Sequence, residues 1–368
     1  MKRCGVTVLA VVILLGLTIP AIGVTLCEYR SPMTALADAG MSFSYRYYDD
    51  ASTPAVDVNS GRIEVTYDQV FDSPNFGYSV GGTAALGMVE FVPTDWLGQA
   101  SGTARWYLWE DKPVFSFGGI ETSMATSQPR PGVEVRVGVG LGRFTDVTPL
   151  AKAMDIEAAL LEESAIFGPL ADDVLLSMAS TIDRIDEYDD VKNLVTDLES
   201  LIEAVSGVEL DARALLTIEE IVVSKSENRK CGWAIQAGVG YELVDPYGGA
   251  QNLVIAGSAN AAVSRTPDDQ FLFNASFSGP FGILEENTLT ARVSYESDVS
   301  EDSTLVVDYV LQRVKPAGQA ATSSHAASLA IRFDIQGINM GVDVGLSKDS
   351  GDPGWSIDVS VSAAMDLL

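Results

Sequence analysis

Few residues of this chain are of a type that does covalent chemistry. His325 is the single histidine, and it follows Ser323 and Ser324. A serine beside a histidine is the raw material of nucleophilic hydrolysis. Neighbouring residues of a strand point to opposite faces, however, and no third member of a triad stands out in the sequence. The expectation is a surface histidine in a protein that is not an enzyme. Gly138-x-Gly140-x-Gly142 lacks the two residues that a dinucleotide loop places before its third glycine. No spacing of Cys, His or carboxylates matches a metal site, and no cofactor is expected. Of the three cysteines, Cys4 lies in the leading apolar segment. The remaining pair, Cys27 and Cys231, is expected to form one disulfide in an oxidising compartment.

Charged residues set into alternating segments are a richer source of chemistry. Arg46, Arg62, Arg105, Arg136, Arg292 and Arg332 stand against Glu64, Asp68, Glu134, Glu242, Asp308, Asp343 and Asp358. Each occupies a polar position of a stretch whose alternate residues are apolar. Opposed charges of this kind can line an aqueous constriction that sorts ions. They can equally close a passage as an internal salt-bridge network, because buried charge is tolerated only when it is paired or wet.

The elements that must position them read as strands. In VEVRVGVGL, Val133, Val135, Val137, Val139 and Leu141 alternate with Glu134, Arg136, Gly138 and Gly140, the period of a sheet with one apolar face. The same period recurs around Met41–Tyr48, Ile63–Asp68, Phe76–Leu86, Gly102–Trp109 and Val114–Thr122. It returns at Trp233–Leu243, Leu253–Val263, Phe271–Phe277, Leu289–Tyr295, Leu305–Gln312, His325–Ile335, Ile338–Leu346 and Trp355–Met365. That makes six strands, an interruption, and eight more. Most run about nine to twelve residues, the length of a tilted strand that crosses a bilayer. Connections after even strands are tight, as at Asp72–Asn75, Glu110–Pro113, Arg265–Gln270 and Gln336-Gly337. Those after odd strands are longer, at Asp49–Gly61, Gly87–Gln99, Ser123–Gly132 and Val314–Thr322.

An even number of long alternating strands, with short turns on one rim and long loops on the other, resembles the bacterial outer-membrane β-barrel proteins, porin-like in outline. The resemblance implies a mainly β fold: about fourteen antiparallel transmembrane strands closed into a barrel, with an inserted all-α domain. It implies apolar residues facing outer-membrane lipid and the thirteen charges above facing a lumen. With six cations against seven anions, the wall would be nearly balanced. Small lumen-side residues such as Gly77, Gly81, Gly138, Gly140, Gly238, Gly240, Gly341 and Gly345 leave room. Tyr45, Tyr47, Phe71, Phe76, Phe115, Trp233, Tyr295 and Trp355 gather toward strand ends and would form interfacial girdles. The last strand departs from the pattern, since it ends in Leu368 rather than an aromatic residue.

Residues 145–230 break the pattern with twenty acidic and seven basic residues, a net of −13. Thr148 reads as an N-cap with Pro149 at the first helical position. Amphipathic helices are expected near 149–165, 171–186, 189–205 and 209–223. Their apolar faces are Val174, Leu175, Met178, Ile182 and Ile185 on the second, Val191, Leu194, Val195, Leu198, Leu201, Ile202 and Val205 on the third, and Leu210, Leu215, Leu216, Ile218 and Val222 on the fourth. Because six strands precede it, this segment is expected in the periplasm, where it would dock a periplasmic or envelope partner or gate the pore.

The remaining composition sets bounds. Lys2 and Arg3, the apolar run Val6–Ile19 and Ala21-Ile22-Gly23 make a secretory signal peptide. The organisation expected is a signal peptide at 1–23, a periplasmic arm at 24–39, strands one to six at 40–144, a helical insertion at 145–231 and strands seven to fourteen at 232–368. A formal net charge of −28 excludes nucleic acid as a partner, since phosphate contacts need a basic surface. Mean hydropathy is +0.17. The oligomeric state is not legible. Three readings follow: a channel for passive diffusion of small solutes, a closed anchoring barrel, and a soluble exported β-sandwich.

Overall fold

The computed structural model describes residues 24–31, 33–48, 58–109, 112–224, 228–249, 251–300, 303–335, 338–352 and 354–366. The signal-peptide reading of 1–23, the 49–57 loop, the Gln336-Gly337 turn and the terminal Leu368 lie outside them.

Fourteen antiparallel strands close into one barrel in which each strand pairs with its sequence neighbours and β1 pairs with β14. The strands are β1 (Thr34–Tyr48), β2 (Val58–Asp72), β3 (Phe76–Val89), β4 (Val92–Trp109), β5 (Lys112–Ala125), β6 (Gly132–Asp146) and β7 (Lys230–Val244). They continue as β8 (Leu253–Thr266), β9 (Asp269–Pro280), β10 (Asn287–Ser300), β11 (Ser303–Lys315), β12 (Thr322–Ile335), β13 (Ile338–Asp349) and β14 (Ser356–Asp366). Closure removes the sandwich alternative: there is one sheet, it has no free edge, and its apolar face is the outer one.

The strands are longer than the alternation predicts, from 11 residues in β14 to 18 in β4. The expected Gly87–Gln99 loop does not exist. β3 and β4 continue through it to a two-residue turn at Glu90-Phe91, both with positive φ of 54° and 62°. That backbone matches the twist of the flanking strands, and the Phe91 ring stacks on Tyr45 with centroids 4.3 Å apart. β1 begins at Thr34, well before Met41, because its first residues pair with β2 as far as Asp72.

Between β6 and β7 run four helices: α1 (Thr148–Glu162), α2 (Asp172–Ile182), α3 (Val191–Ser206) and α4 (Ala212–Val223). Thr148 is the first helical residue rather than the cap. Its N–H donates to Asp146 Oδ1 at 2.9 Å, while its hydroxyl accepts from the Arg229 N–H at 2.9 Å. Asp190 and Asp211 cap α3 and α4 by accepting backbone N–H groups, and Gly207 ends α3 in the left-handed region. Leu150, Ile156, Leu160, Met178, Leu194, Leu198, Ile202 and Ile218 are fully or almost fully buried in one cluster. Val205 and Leu216 were expected on that buried face, but they are 53% and 65% exposed. The cluster also takes in Val24, Leu26 and Tyr29 from the N-terminal arm, and Cys231. Arm and helices therefore share one hydrophobic core, which reaches the barrel at Cys231 of β7.

Candidate functional site: the barrel lumen and its helix-side mouth

Directly paired residues of an antiparallel ladder share a face, so the register can be followed around the ring. Arg62 lies opposite Ser44, and Asp68 opposite Gly81, Ser101 and Glu121 in turn. Glu121 lies opposite Glu134, and Glu134 opposite Glu242. Asp308 continues through Ser328 and Gly345 to Asp358. Followed in this way, all thirteen charged residues named from the sequence fall on one face. It is the inner one, since Phe115 and Phe117 on that face are 0% and 8% exposed, while Val137 and Ile357 on the other are 65% and 71% exposed.

The charges form local pairs. Arg46 lies 3.3 Å from Asp358, Arg62 2.9 Å from Glu64, and Arg136 2.8 Å from Glu121 while also bonding Glu134. Arg292 grips Asp308 through two nitrogens at 2.8 and 3.0 Å, and Ser362 donates to Asp343 at 3.0 Å. The Arg46 and Asp358 side chains are 64% and 54% exposed. Pairs this wet contribute about 0–1 kcal/mol. The Glu134 and Asp308 carboxylates of the other pairs are more sheltered, 19% and 16% exposed, so the pairing on this face is wet at Arg46–Asp358 and partly buried elsewhere.

The near balance of charge expected from the sequence does not hold on this face. Asp38, Asp72, Asp95, Glu121 and Glu296 share it and bring the named carboxylates to twelve, against the six arginines named from the sequence. Asp38, Asp72, Asp95 and Glu296 lie outside the alternating segments read from the sequence, whereas Glu121 lies inside Val114–Thr122 and is missed there.

Toward the helices the inner face of β4 and β5 carries an aromatic cluster. Phe115 was expected in an interfacial girdle; it lies inside, opposite Gly140, with Phe117 opposite Gly138. A Cβ at either glycine would collide with the facing ring, so the small residues accommodate aromatic ones instead of holding water. Tyr107 completes the cluster, its ring edge-on to Phe115 at 5.7 Å. The Tyr107 hydroxyl donates to Asp72 Oδ2 at 2.8 Å. Arg143 lies with its guanidinium 3.9 Å from the Tyr107 ring centroid and 3.8 Å from Asp72 Oδ1, and donates to the Pro74 carbonyl at 3.0 Å.

Sequence reasoning missed Arg143 because strict alternation turns it outward. Gly142 and Gly232, on facing strands, have φ of +117° and +131°, values that residues with a side chain rarely adopt. They bend the base of β6 and β7 across the mouth. The Asp146 N–H then donates to Thr34 Oγ1 of β1 at 3.1 Å. Arg229, 2% exposed, donates to the Pro267 carbonyl at 2.6 Å and to the Asp298 carboxylate of β10. Cys27 and Cys231 are joined, with Sγ atoms 2.02 Å and Cα atoms 5.3 Å apart. β1 and β7 are six strands apart in a ring of fourteen, and the bond ties the arm ahead of β1 to the start of β7.

On the outer face Phe71, Phe76, Tyr78, Trp106, Trp233, Phe271 and Tyr295 ring the helix-side end, with Phe71 stacked on Tyr78 and Phe271 packed on Tyr295. Tyr45, Trp96 and Tyr241 lie toward the other end, and Tyr309 lies midway along β11. His325 lies toward that other end: its Nδ1 lies 2.8 Å from the Tyr309 hydroxyl and its ring meets Trp355 edge-on. It is part of a polar-tipped aromatic belt with no serine bonded to it among the described contacts.

No family model matches the chain, and no curated protein matches it. Its structural neighbours are bacterial outer-membrane porins and channels. The outer membrane protein Omp33 of Acinetobacter baumannii aligns with 91% of this chain and 99% of its own, at 10% identity and a TM-score of 0.35. The outer membrane channel DcaP of Acinetobacter baumannii aligns over 92% and 99%, at 8% identity and a TM-score of 0.36. A BenF-like porin from Pseudomonas fluorescens Pf-5 aligns over 90% and 98%, at 8% identity and a TM-score of 0.35.

Proposed function

We propose that this chain is an outer-membrane channel through which small solutes or ions diffuse passively, with its helices on the periplasmic side. One observation carries the reading: a closed barrel whose outer face is apolar between two aromatic belts and whose inner face is charged. On β7 the belts are marked by Trp233 and Tyr241, and on β4 by Trp106 and Trp96. Eight and ten residues at about 3.3 Å each give roughly 26 and 33 Å along the strands. At a tilt of ~40° that is about 20–25 Å of depth, the height of the apolar band of such barrels. A water-soluble barrel has no use for Val137, Val139, Ile235 and Val359 exposed by 65%, 60%, 55% and 64%.

The periplasmic assignment rests on the rims. Apart from the helical connection, the helix-side turns are two or three residues long, whereas all but one of the opposite connections have six or more. Short periplasmic turns and longer external loops are the usual asymmetry. Bonds from the strand ends that flank the helices, Arg143 to Asp72 and Arg229 to Asp298, support a gating role over partner docking. Stepwise conductance of refolded protein in a planar bilayer tests the channel; a folded barrel that gives no steps under any condition would refute it. Protease added to intact cells should spare residues 145–230 and cut them once the outer membrane is permeabilised, and cutting in intact cells would reverse the topology.

A further inference from the structure

The ladder of a closed barrel needs bonds only between neighbouring strands. Arg143 on β6 ties instead to β2 and β4, and Arg229, just before β7, ties to β10. Neither bond adds anything to wall closure. Both fix what lies across the helix-side mouth. What lies there is one packed body, because Leu26 and Tyr29 of the arm are buried in the same core as the helices. The contact of Ser31 Oγ with Asp183 Oδ2 at 2.9 Å ties the arm to the helices, and the Cys27–Cys231 bond ties it to the start of β7.

The body joins the wall through Gly142 and Gly232, each in a backbone region open mainly to glycine, through the start of β1, and through Lys230 and Asn228, which bond Ser264 of β8 and Gln270 of β9 beside the second arginine contact. The first arginine contact is incompletely made. Asp72 Oδ1 and Arg143 Nε are both buried without a hydrogen-bond partner, although they lie 3.8 Å apart. Buried polar atoms left unsatisfied are costly, so a displacement that admits water recovers part of what the broken contact loses. A contact of this kind holds, but it releases readily.

We propose that the arm and the four helices form a hinged lid over the helix-side mouth, held shut by two arginine latches, Arg143 on Asp72 and Arg229 on Asp298. The inference rests on the channel reading for its consequence, which is gating, but not for the movement itself. Charge on the second latch bears on its strength. Asp155 of α1 faces Asp268 of the β8–β9 turn, Asp298 of β10, Arg229 and Lys152. Three carboxylates share the arginine and one lysine, and burial with the neighbouring Asp268 raises the Asp155 carboxyl to about 6. At neutral pH α1 and the rim therefore repel each other.

The test uses the full chain with Arg143→Gln and Asp298→Asn, singly and together. Spin labels on cysteines introduced at Ser200 of α3 and Thr266 of the rim, both exposed, report the lid directly. Planar-bilayer recording reports the channel. The double variant should populate a longer inter-label distance and raise open probability well over tenfold, since the Arg229–Asp298 bond alone carries about tenfold as a charge-assisted hydrogen bond. Each single variant should give a smaller shift. Acidification from pH 7.5 to 5 should shorten the distance in the wild type, a second readout that stands even where a substitution damages folding. Labels that move without conductance would sink the channel reading and leave the lid standing. Steady conductance with labels unmoved in every variant and at both pH values would overturn the lid and leave the channel.

Discussion

An arginine placed on the outer wall separates a membrane barrel from a water-soluble one. Val139 is the sharpest position. It is 60% exposed and lies opposite Ala237, midway between Trp233 and Tyr241 on β7. Four residues separate that level from either belt, about 13 Å along the strand and roughly 10 Å in depth at ~40° tilt. At that depth a guanidinium reaches headgroup or water only by strained snorkelling. Val139→Arg should therefore cost about 2–4 kcal/mol of folding free energy in lipid. Leu243, two residues beyond Tyr241 and 42% exposed, is the control, and Leu243→Arg should cost only about 0–1 kcal/mol. On a barrel surrounded by water both changes are surface substitutions, worth about ±0.5 kcal/mol. Reversible denaturant unfolding of protein in phospholipid vesicles measures the difference, since a shift in midpoint at constant slope is a change in stability. Equal effects at the two positions, or a Val139→Arg cost below about 0.5 kcal/mol, would show that the apolar belt does not face hydrocarbon.

Three further outcomes are expected. The excess of inward carboxylates, with the acidic helices under one mouth, should make the channel cation-selective at 0.1 M salt. Zero-current potentials should show that preference fading near 1 M, where the Debye length falls to about 3 Å, and anion selectivity would put the charge assignment at fault. Asp155 has a folded pKa above its unfolded one, so the folded state holds its proton more tightly and stability falls as pH rises from about 4 through 6. Asp155→Asn should flatten the dependence in that window and stabilise the helical unit at pH 7, and an unchanged pH profile would contradict the assignment. Gly140→Ala should destabilise the barrel by about 1–3 kcal/mol through its clash with the Phe115 ring, with Gly140→Ala/Phe115→Leu recovering part of the loss; thermal unfolding reads both.

Strand identity and number were legible in the sequence because they are local. Val133 to Leu141 alternate with polar residues, and a period of two needs no distant partner to be recognised. The helices were legible for the same reason, down to Gly207 as a stop and the Val174–Met178–Ile182 stripe. The facing of the thirteen charges followed, since phase within a strand is fixed by its own residues. What the tertiary structure alone decided lies where phase is lost or where an element meets a distant one. Glu90-Phe91 became a tight turn because β3 and β4 pair beyond the point at which their alternation weakens. Phe115 went inside because only the facing strand supplies Gly140 beneath its ring. Asp72 joined the inner face through pairing at the last rung of β2. Arg143 reversed its direction because two glycines, distant in sequence and neighbours in space, bend the β6–β7 base inward. Local pattern determines which face a residue presents to its own sheet. Whether that face meets water, lipid, a ring or a lid depends on strands brought alongside by closure of the barrel, and no local period encodes that.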